Sequence, residues 1–252
     1  MNDMFDLKGR VAIVTGGSRG LGRAIAHGYA RAGARVVVAS RKADACDSVA
    51  SEIVSTGGEA LGVATHLGDA DAIEALVERT VGWAGGIDVV VNNAANPLGG
   101  ALVDVTPAAF NKAYQVNVLG PLLLGQAALP HLRESSHASI INVITVGAFR
   151  GGEHLGVYCS SKAALWNLTG TMAKEWGRLG VRVNAIAPGP FDTDMMAPTL
   201  GIAEFRQSII DANIQHRIAE PTEVVGAALL LASDAGSYMN GSVITVDGGT
   251  MA

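Results

Sequence analysis

The sequence is poor in charge, nearly without cysteine and free of long apolar runs. Only 16% of its 252 residues are charged, while 49% are apolar. That leaves ample material for a core, and it predicts a surface that is either small and apolar or covered by other subunits. The formal net charge is -5 and lysine and arginine never cluster in a run, which argues against nucleic acid or an anionic membrane as partner. The two cysteines, Cys46 and Cys159, make neither a disulfide framework nor a metal-ligand set. No stretch of about 18 uncharged apolar residues occurs, and residues 1–10 are mixed and charged, without the apolar segment of a secretion signal. The expectation is a soluble, cytoplasmic protein with no membrane partner and no metal.

What the sequence has is alternation. Short apolar, β-branched runs at 11–14, 35–40, 60–65, 87–92, 139–144, 181–187 and 243–246 read as strands, with helical patterns between them. Gly33 closes the first helix, Asp69 opens the third, and Thr106-Pro107 caps a long helix that carries Tyr114 and Asn117. A further helix spans 158–179, and Thr222-Glu223 caps another through Leu231. The pattern is that of an α/β fold, a doubly wound parallel sheet of about seven strands with helices on both faces. The length fits one large domain or two small ones, but no linker, repeat or low-complexity tract divides it. A single domain over 1–252 is expected.

Two stretches carry chemistry. In Tyr158-Cys159-Ser160-Ser161-Lys162, a helix puts Tyr158 and Lys162 one turn apart on one face. A neighbouring ammonium stabilises a phenolate, so the pair suits acid/base work on a hydroxyl or carbonyl. Glycines 16, 20 and 22 lie between the first strand and the first helix. There they allow a tight turn and the approach of backbone to a pyrophosphate at a helix N-terminus, as in a Rossmann fold. The spacing is Thr-Gly-x-x-x-Gly-x-Gly, and no Gly-Lys-Ser/Thr of a P-loop follows.

In these residues the chain resembles the short-chain dehydrogenase/reductase family. The cofactor motif over 15–22 matches throughout, and Asn92-Asn93-Ala94-Ala95, Asn117, Tyr158-x-x-x-Lys162, Pro188-Gly189 with Thr193, and Val246-Asp247-Gly248-Gly249 follow in the family's order. The resemblance implies that Gly16, Ser18, Arg19, Gly20, Leu21, Gly22, Asn93, Ala94, Pro188, Gly189 and Thr193 bind a nicotinamide dinucleotide together with Tyr158 and Lys162. It implies Asn117, Tyr158 and Lys162 as catalytic residues, with a water relay from the asparagine to the lysine. Pro121 lacks an N–H and so withholds the helical partner of the Asn117 carbonyl, which suits that relay. The family's fourth catalytic residue is a serine; here Thr145 stands thirteen residues before Tyr158. Its hydroxyl can make the same hydrogen bonds, while its methyl stiffens the side chain and crowds the substrate. The resemblance also implies a substrate lid over about 194–217 and a homo-oligomer, a tetramer or a dimer.

The second strand ends in Ser40 followed by Arg41, where an acid would bind the ribose hydroxyls of NAD; Arg19 lies in the glycine loop. Two guanidiniums and no carboxylate describe a clamp for a 2′-phosphate, which favours NADP(H) over NAD(H). His66, after the third strand, departs from the family's aspartate at the adenine. The expected function is NADP(H)-dependent transfer of hydride between nicotinamide and a carbonyl or secondary alcohol of a small organic substrate, with Tyr158 as general acid/base. The alternative is a dinucleotide-binding protein that keeps the fold for regulation or structure without turnover. Asn96, Arg150, Glu153 and His154 are placed at the substrate mouth, and nothing names the substrate itself.

Overall fold

The computed structural model describes residues 4–252. Seven strands form one parallel sheet in the order β3-β2-β1-β4-β5-β6-β7: β1 Val11–Thr15, β2 Arg35–Ser40, β3 Glu59–Ala64, β4 Val89–Asn92, β5 Ser139–Val143, β6 Arg182–Pro188 and β7 Val243–Val246. The five central strands are runs of Val, Ile and Ala buried almost end to end, as a sheet covered on both faces requires.

Helices α1 (Gly20–Arg31), α2 (Ala43–Ser55) and α3 (Ala70–Ala84) follow the first three strands. Then come α4 (Pro107–Tyr114), α5 (Gly120–Leu132), α6 (Gly147–Arg150), α7 (Gly156–Gly177), α8 (Ala197–Leu200), α9 (Ala203–Asp211) and α10 (Val225–Ala232). One core packs α1, α2 and α10 on the face carrying Val36 and Val38. The other packs α3, α5 and α7 on the face carrying Val37 and Val90. The chain winds outward in both directions from β1 and β4, which are neighbours in the sheet. A crevice therefore opens at their carboxyl ends.

Two elements differ from the sequence expectation. The helix begun at Thr106, whose hydroxyl accepts from the Ala109 N–H, does not run on unbroken. Between α4 and α5 it widens into a π turn at Gln115–Leu119, where the N–H of Gly120 reaches the carbonyl of Gln115. Pro121 has no N–H to continue the tighter ladder, so the extra residue is accommodated there. The helix before β7 is capped not by Thr222 but by Glu220, in a reciprocal box with Glu223 that starts as a 3₁₀ turn, Pro221–Val224.

Between β4 and β5 lies a buried polar chain. Asn92 Nδ2 donates to Asn142 Oδ1 at 2.9 Å, and Asn142 Nδ2 donates to Thr169 Oγ1 of α7 at 2.9 Å. It ties the strand below the crevice to the helix that carries Tyr158. Among the described residues no helix is long and apolar enough to cross a membrane, and no cluster of His, Cys, Asp and Glu could hold a metal. Asn142→Leu leaves two buried partners unserved and is expected to lower stability by roughly 2 kcal/mol in urea unfolding. An unchanged midpoint would show that the chain is dispensable.

Candidate active site

Tyr158 and Lys162 sit in the first turns of α7. Lys162 is buried, and its Nζ donates to the carbonyl of Val143, the last residue of β5, at 2.7 Å. Tyr158 keeps partial access to solvent. Its phenol is nevertheless pushed above its ordinary value by burial, and to a lesser extent by the neighbouring Cys159. Burial lowers the Lys162 ammonium to about 7. The expected depression of the phenol by the lysine is therefore not what this arrangement produces. Desolvation drives both groups towards their neutral forms, and a lysine that titrates near neutrality carries its charge only part of the time.

Asn117 lies inside the π turn and is completely buried. Its Oδ1 accepts from the N–H of Asn96 at 2.7 Å, while its Nδ2 donates to the carbonyl of Asn96 at 3.0 Å and to Ser161 Oγ at 2.9 Å. Ser161 Oγ donates onward to the carbonyl of Tyr158 at 2.7 Å. The asparagine side chain is thus committed to joining the loop after β4 to α7. Its backbone carbonyl faces a position, Pro121, with no N–H to offer it.

Thr145 follows β5, whose pairing continues past the strand through Ile144 N–H to Ile186 O and Val146 N–H to Pro188 O, 2.8 and 3.0 Å. Its Oγ1 accepts from the N–H of Gly147 at 3.3 Å. Gly147 stands between Thr145 and α7: a Cβ there would lie 3.6 Å from the Thr145 methyl and 2.7 Å from Cys159 Sγ. Cys159 is buried in that contact, and Ser139 spends its hydroxyl on the carbonyl of Leu231 at 2.8 Å.

The glycine loop is built against the loop after β4. Thr15 Oγ1 accepts from the N–H groups of Asn93 and Ala94 at 3.0 and 3.2 Å and donates to the carbonyl of Val91 at 3.0 Å. Asn93 Nδ2 returns bonds to the carbonyls of Thr15 and Gly16 at 2.9 and 3.3 Å. Gly16 is left-handed at φ 63, with Asn93 and Ala94 where its Cβ would stand, and a Cβ on Gly22 would overlap Gly16 O and Asn93 Nδ2. The first turn of α1 holds no acid, and its cap residue Arg19 makes no side-chain cap. Those N–H groups are left for an anion, so the residues present fit a dinucleotide's pyrophosphate.

At the adenosine end, Ser40 Oγ lies 3.1 Å from Cys46 Sγ. Arg41 is exposed and makes no ion pair among the described residues, and Arg19 lies 3.9 Å from Asp194. His66 folds back on its own loop, its Nδ1 accepting from the N–H of Gly68 at 3.0 Å. Leu21 packs against the first core, and Ser18 remains half-buried. Gly189 donates to the carbonyl of Val246 at 2.9 Å, which places Pro188-Gly189 beside the terminal turn. Thr193 lies over Gly20, its Cγ2 3.4 Å from where a Cβ would be. A cleft of about 490 Å³ opens here between α1 and the chain after β6, lined by Gly20, Arg23, His27, Thr193, Asp194 and Pro221. It borders the glycine loop and does not include Tyr158, Lys162 or Asn117.

The segment after Thr193 forms α8 and α9. Its base is a bridge between Phe191 and Ala219, and Asn213, buried, holds its far end. Asn213 Nδ2 donates to the carbonyl of Asp247 at 2.9 Å, and the Asp247 carboxylate in turn accepts from the N–H groups of Gly249 and Met251 at 3.0 and 2.9 Å. Of the residues placed at the substrate mouth, Asn96 is engaged by Asn117, while Arg150, Glu153 and His154 are exposed. His154 is left-handed at φ 59 and is held through its carbonyl by the N–H of Gly100 at 2.7 Å. Sequence reasoning did not single out Ser161 or Asn213, although Ser161 stands one turn after Tyr158 and directly before Lys162.

A family model described as Enoyl-(Acyl carrier protein) reductase matches residues 16–251. Gluconate 5-dehydrogenase of Gluconobacter oxydans is 35% identical over 250 residues, covering 98% of this chain and 96% of that one. Dehydrogenase/reductase SDR family member 4 of Homo sapiens is 35% identical, covering 97% of this chain and 88% of that one. The crystal structure of a gluconate 5-dehydrogenase from Burkholderia cenocepacia J2315 in complex with NADP and tartrate superposes with a TM-score of 0.94 at 30% identity, covering 98% and 97% of the two chains. The chain belongs to the short-chain dehydrogenase/reductase family.

Proposed function

We propose that the protein interconverts a carbonyl and a secondary alcohol of a small organic substrate, with NADP(H) as hydride carrier and Tyr158 as general acid and base. The observation that carries this reading is the join of Asn93 to Thr15 and Gly16. It holds the start of α1 against the loop after β4, which Asn96 joins to the Asn117–Ser161–Tyr158 chain, and this supports one site for cofactor and proton transfer. When bound, the cofactor supplies or accepts the hydride. The Gluconobacter relative is named for gluconate and the Burkholderia structure holds NADP with tartrate, which supports NADP(H) and a small polar substrate. The relatives' names as dehydrogenases, with Asn117, Tyr158 and Lys162 all present, favour turnover over a purely structural role.

Gly16, Ser18, Gly20, Leu21 and Gly22 hold the pyrophosphate against the start of α1, and Asn93 and Ala94 form the wall opposite. Ser40, Arg41 and Arg19 face the adenosine ribose and read its 2′-phosphate, the task for which two guanidiniums without an acid are suited. Pro188, Gly189 and Thr193 cover the nicotinamide side.

Tyr158 donates a proton to the carbonyl oxygen during reduction, and its raised phenol keeps that proton in place until the substrate takes it. In the opposite direction Tyr158 must become a phenolate, and a protonated Lys162 then offsets the charge. Thr145 Oγ1 hydrogen-bonds the substrate oxygen. The carbonyl of Asn117 receives the proton route that leads away from Lys162. The segment 194–217 closes over the substrate as a lid.

The chain works in the cytoplasm, where its two thiols, buried and free, stay reduced. It assembles as a tetramer through helix faces that expose Phe110, Leu119 and Trp166. Sedimentation velocity should give four chain masses, and a single-chain species would refute the assembly.

Tyr158→Phe should lower turnover with NADPH and a carbonyl panel by about 10²-fold or more, while NADPH still raises the melting temperature. Undiminished turnover would remove Tyr158 from the mechanism. Lys162 supplies a second test, because its folded value of about 7 lies below its free value of 10.5. Between these the unfolded chain binds a proton that the folded chain does not, so stability rises with pH. The rise between pH 7 and 9 is on the order of 2 kcal/mol and should be missing in Lys162→Met. Equal pH slopes for both proteins in urea unfolding would contradict the burial argument.

A further inference from the structure

Arg19 occupies a position of conflict. It caps α1 through its backbone, and its side chain projects into solvent beside the crevice, where it meets the carboxylate of Asp194 at 3.9 Å. Both side chains are about two-thirds exposed, at 67% and 66%. Neither has another ion-pair partner among the described residues. The next arginine, Arg23, is already committed to Glu52 at 2.6 Å, and His27 reaches the same carboxylate. Asp194 directly follows Thr193, which rests over Gly20. The root of the lid is therefore fastened to the glycine loop at two adjacent points, one by contact and one by charge.

We propose that Asp194 is a specificity-determining residue for the cofactor, competing with the ribose 2′-phosphate for Arg19. The inference rests on the reading of Arg19 as part of the phosphate clamp. A guanidinium drawn to a carboxylate 3.9 Å away must turn from it to meet a phosphate, so part of the affinity for a 2′-phosphorylated nucleotide is spent on parting the pair. A nucleotide lacking the 2′-phosphate has no charge to attract Arg19, and leaves the pair in place. Asp194 thus narrows the preference for NADP(H) that Arg19 and Arg41 create. Exposed pairs are weak and screened by salt, which sets the size of the effect.

The test is calorimetric titration of the cofactor-free protein with adenosine 2′,5′-bisphosphate and with adenosine 5′-monophosphate, at low salt, for wild type, Asp194→Asn, Arg19→Ala and the double variant. Asp194→Asn should bind the bisphosphate about two- to fivefold more tightly and the monophosphate unchanged. In the Arg19→Ala background the same substitution should alter neither. Equal tightening with and without Arg19 would mean that Asp194 merely repels the phosphate through space, and the competition would be overturned. No tightening in the wild-type background would overturn it as well, provided that Arg19→Ala still weakens the bisphosphate. If Arg19→Ala leaves the bisphosphate unaffected, the clamp reading itself fails, and the competition falls with it.

Discussion

The crevice depends on the bonds between Asn93 and the end of β1. β1 and β4 are neighbours in the sheet, but the residues that meet at their ends lie 78 positions apart in sequence. Strand pairing alone brings the two loops near each other. Thr15 Oγ1 converts nearness into a fixed geometry, accepting two N–H groups and donating to the carbonyl of Val91. The returning bonds from Asn93 leave no room for a Cβ at Gly16 or Gly22, so the close approach and the glycines are one requirement seen from two sides. The Asn92–Asn142–Thr169 chain then carries the same geometry one strand further, to α7. A buried polar chain is costly unless satisfied; this one leaves Asn92 Oδ1 without a partner at its end, and its two bonds join β4 and β5 to the helix that bears Tyr158 and Lys162.

On the proton-transfer side, burial and charge pull in opposite directions and burial is the stronger. A lysine in water beside a phenol would lower it; Lys162 is buried at the carboxyl end of β5, held to the carbonyl of Val143, and has itself moved to about 7. A charge that the site can lose near neutrality is useful to a proton relay, because Lys162 can then take up and release a proton at little cost. In the proposed relay the partner on Asn117 is its backbone carbonyl. The asparagine side chain cannot serve, because both its donors and its oxygen are occupied by Asn96 and Ser161.

The strands were legible because nothing competed with their patterns. β2 begins and ends where its β-branched run does, since a parallel strand covered on both faces leaves no amphipathic ambiguity, and β7, half-buried at the edge of the sheet, matches its run as well. The π turn was not legible. Pro121 marks a disturbed ladder, but whether the helix kinks or widens depends on Asn96, 21 positions away, capturing the Asn117 side chain. The cap at Glu220 was hidden for a similar reason: glutamate is an uncommon cap, and it works here because Glu223 returns a bond and is itself held by Arg217. In the site, Tyr158, Lys162 and the glycines could be read from spacing, since the pair falls one helical turn apart and the glycines fall within one loop. Ser161 and Asn213 could not, as their roles exist only when distant segments meet.

This division bears on what can vary without loss of the reaction. Of the groups to which the proposal gives the chemistry, Asn117 and Lys162 are buried and bonded to elements at the centre of the sheet, so altering either disturbs several others. The groups proposed to face the substrate are different: Arg150, Glu153 and His154 are exposed, and the segment carrying α8 and α9 is held mainly at its two ends, by the Phe191–Ala219 bridge and Thr193 at one and by Asn213 and Gln215 at the other. Thr145 stands on the boundary. Its hydroxyl keeps the donor and acceptor that the reaction needs, while its methyl lies against the space where Gly147 has no side chain. In the proposed mechanism the residue that departs from the family's serine would therefore act on which carbonyl can be presented, with delivery of the proton left to Tyr158 and the buried groups behind it.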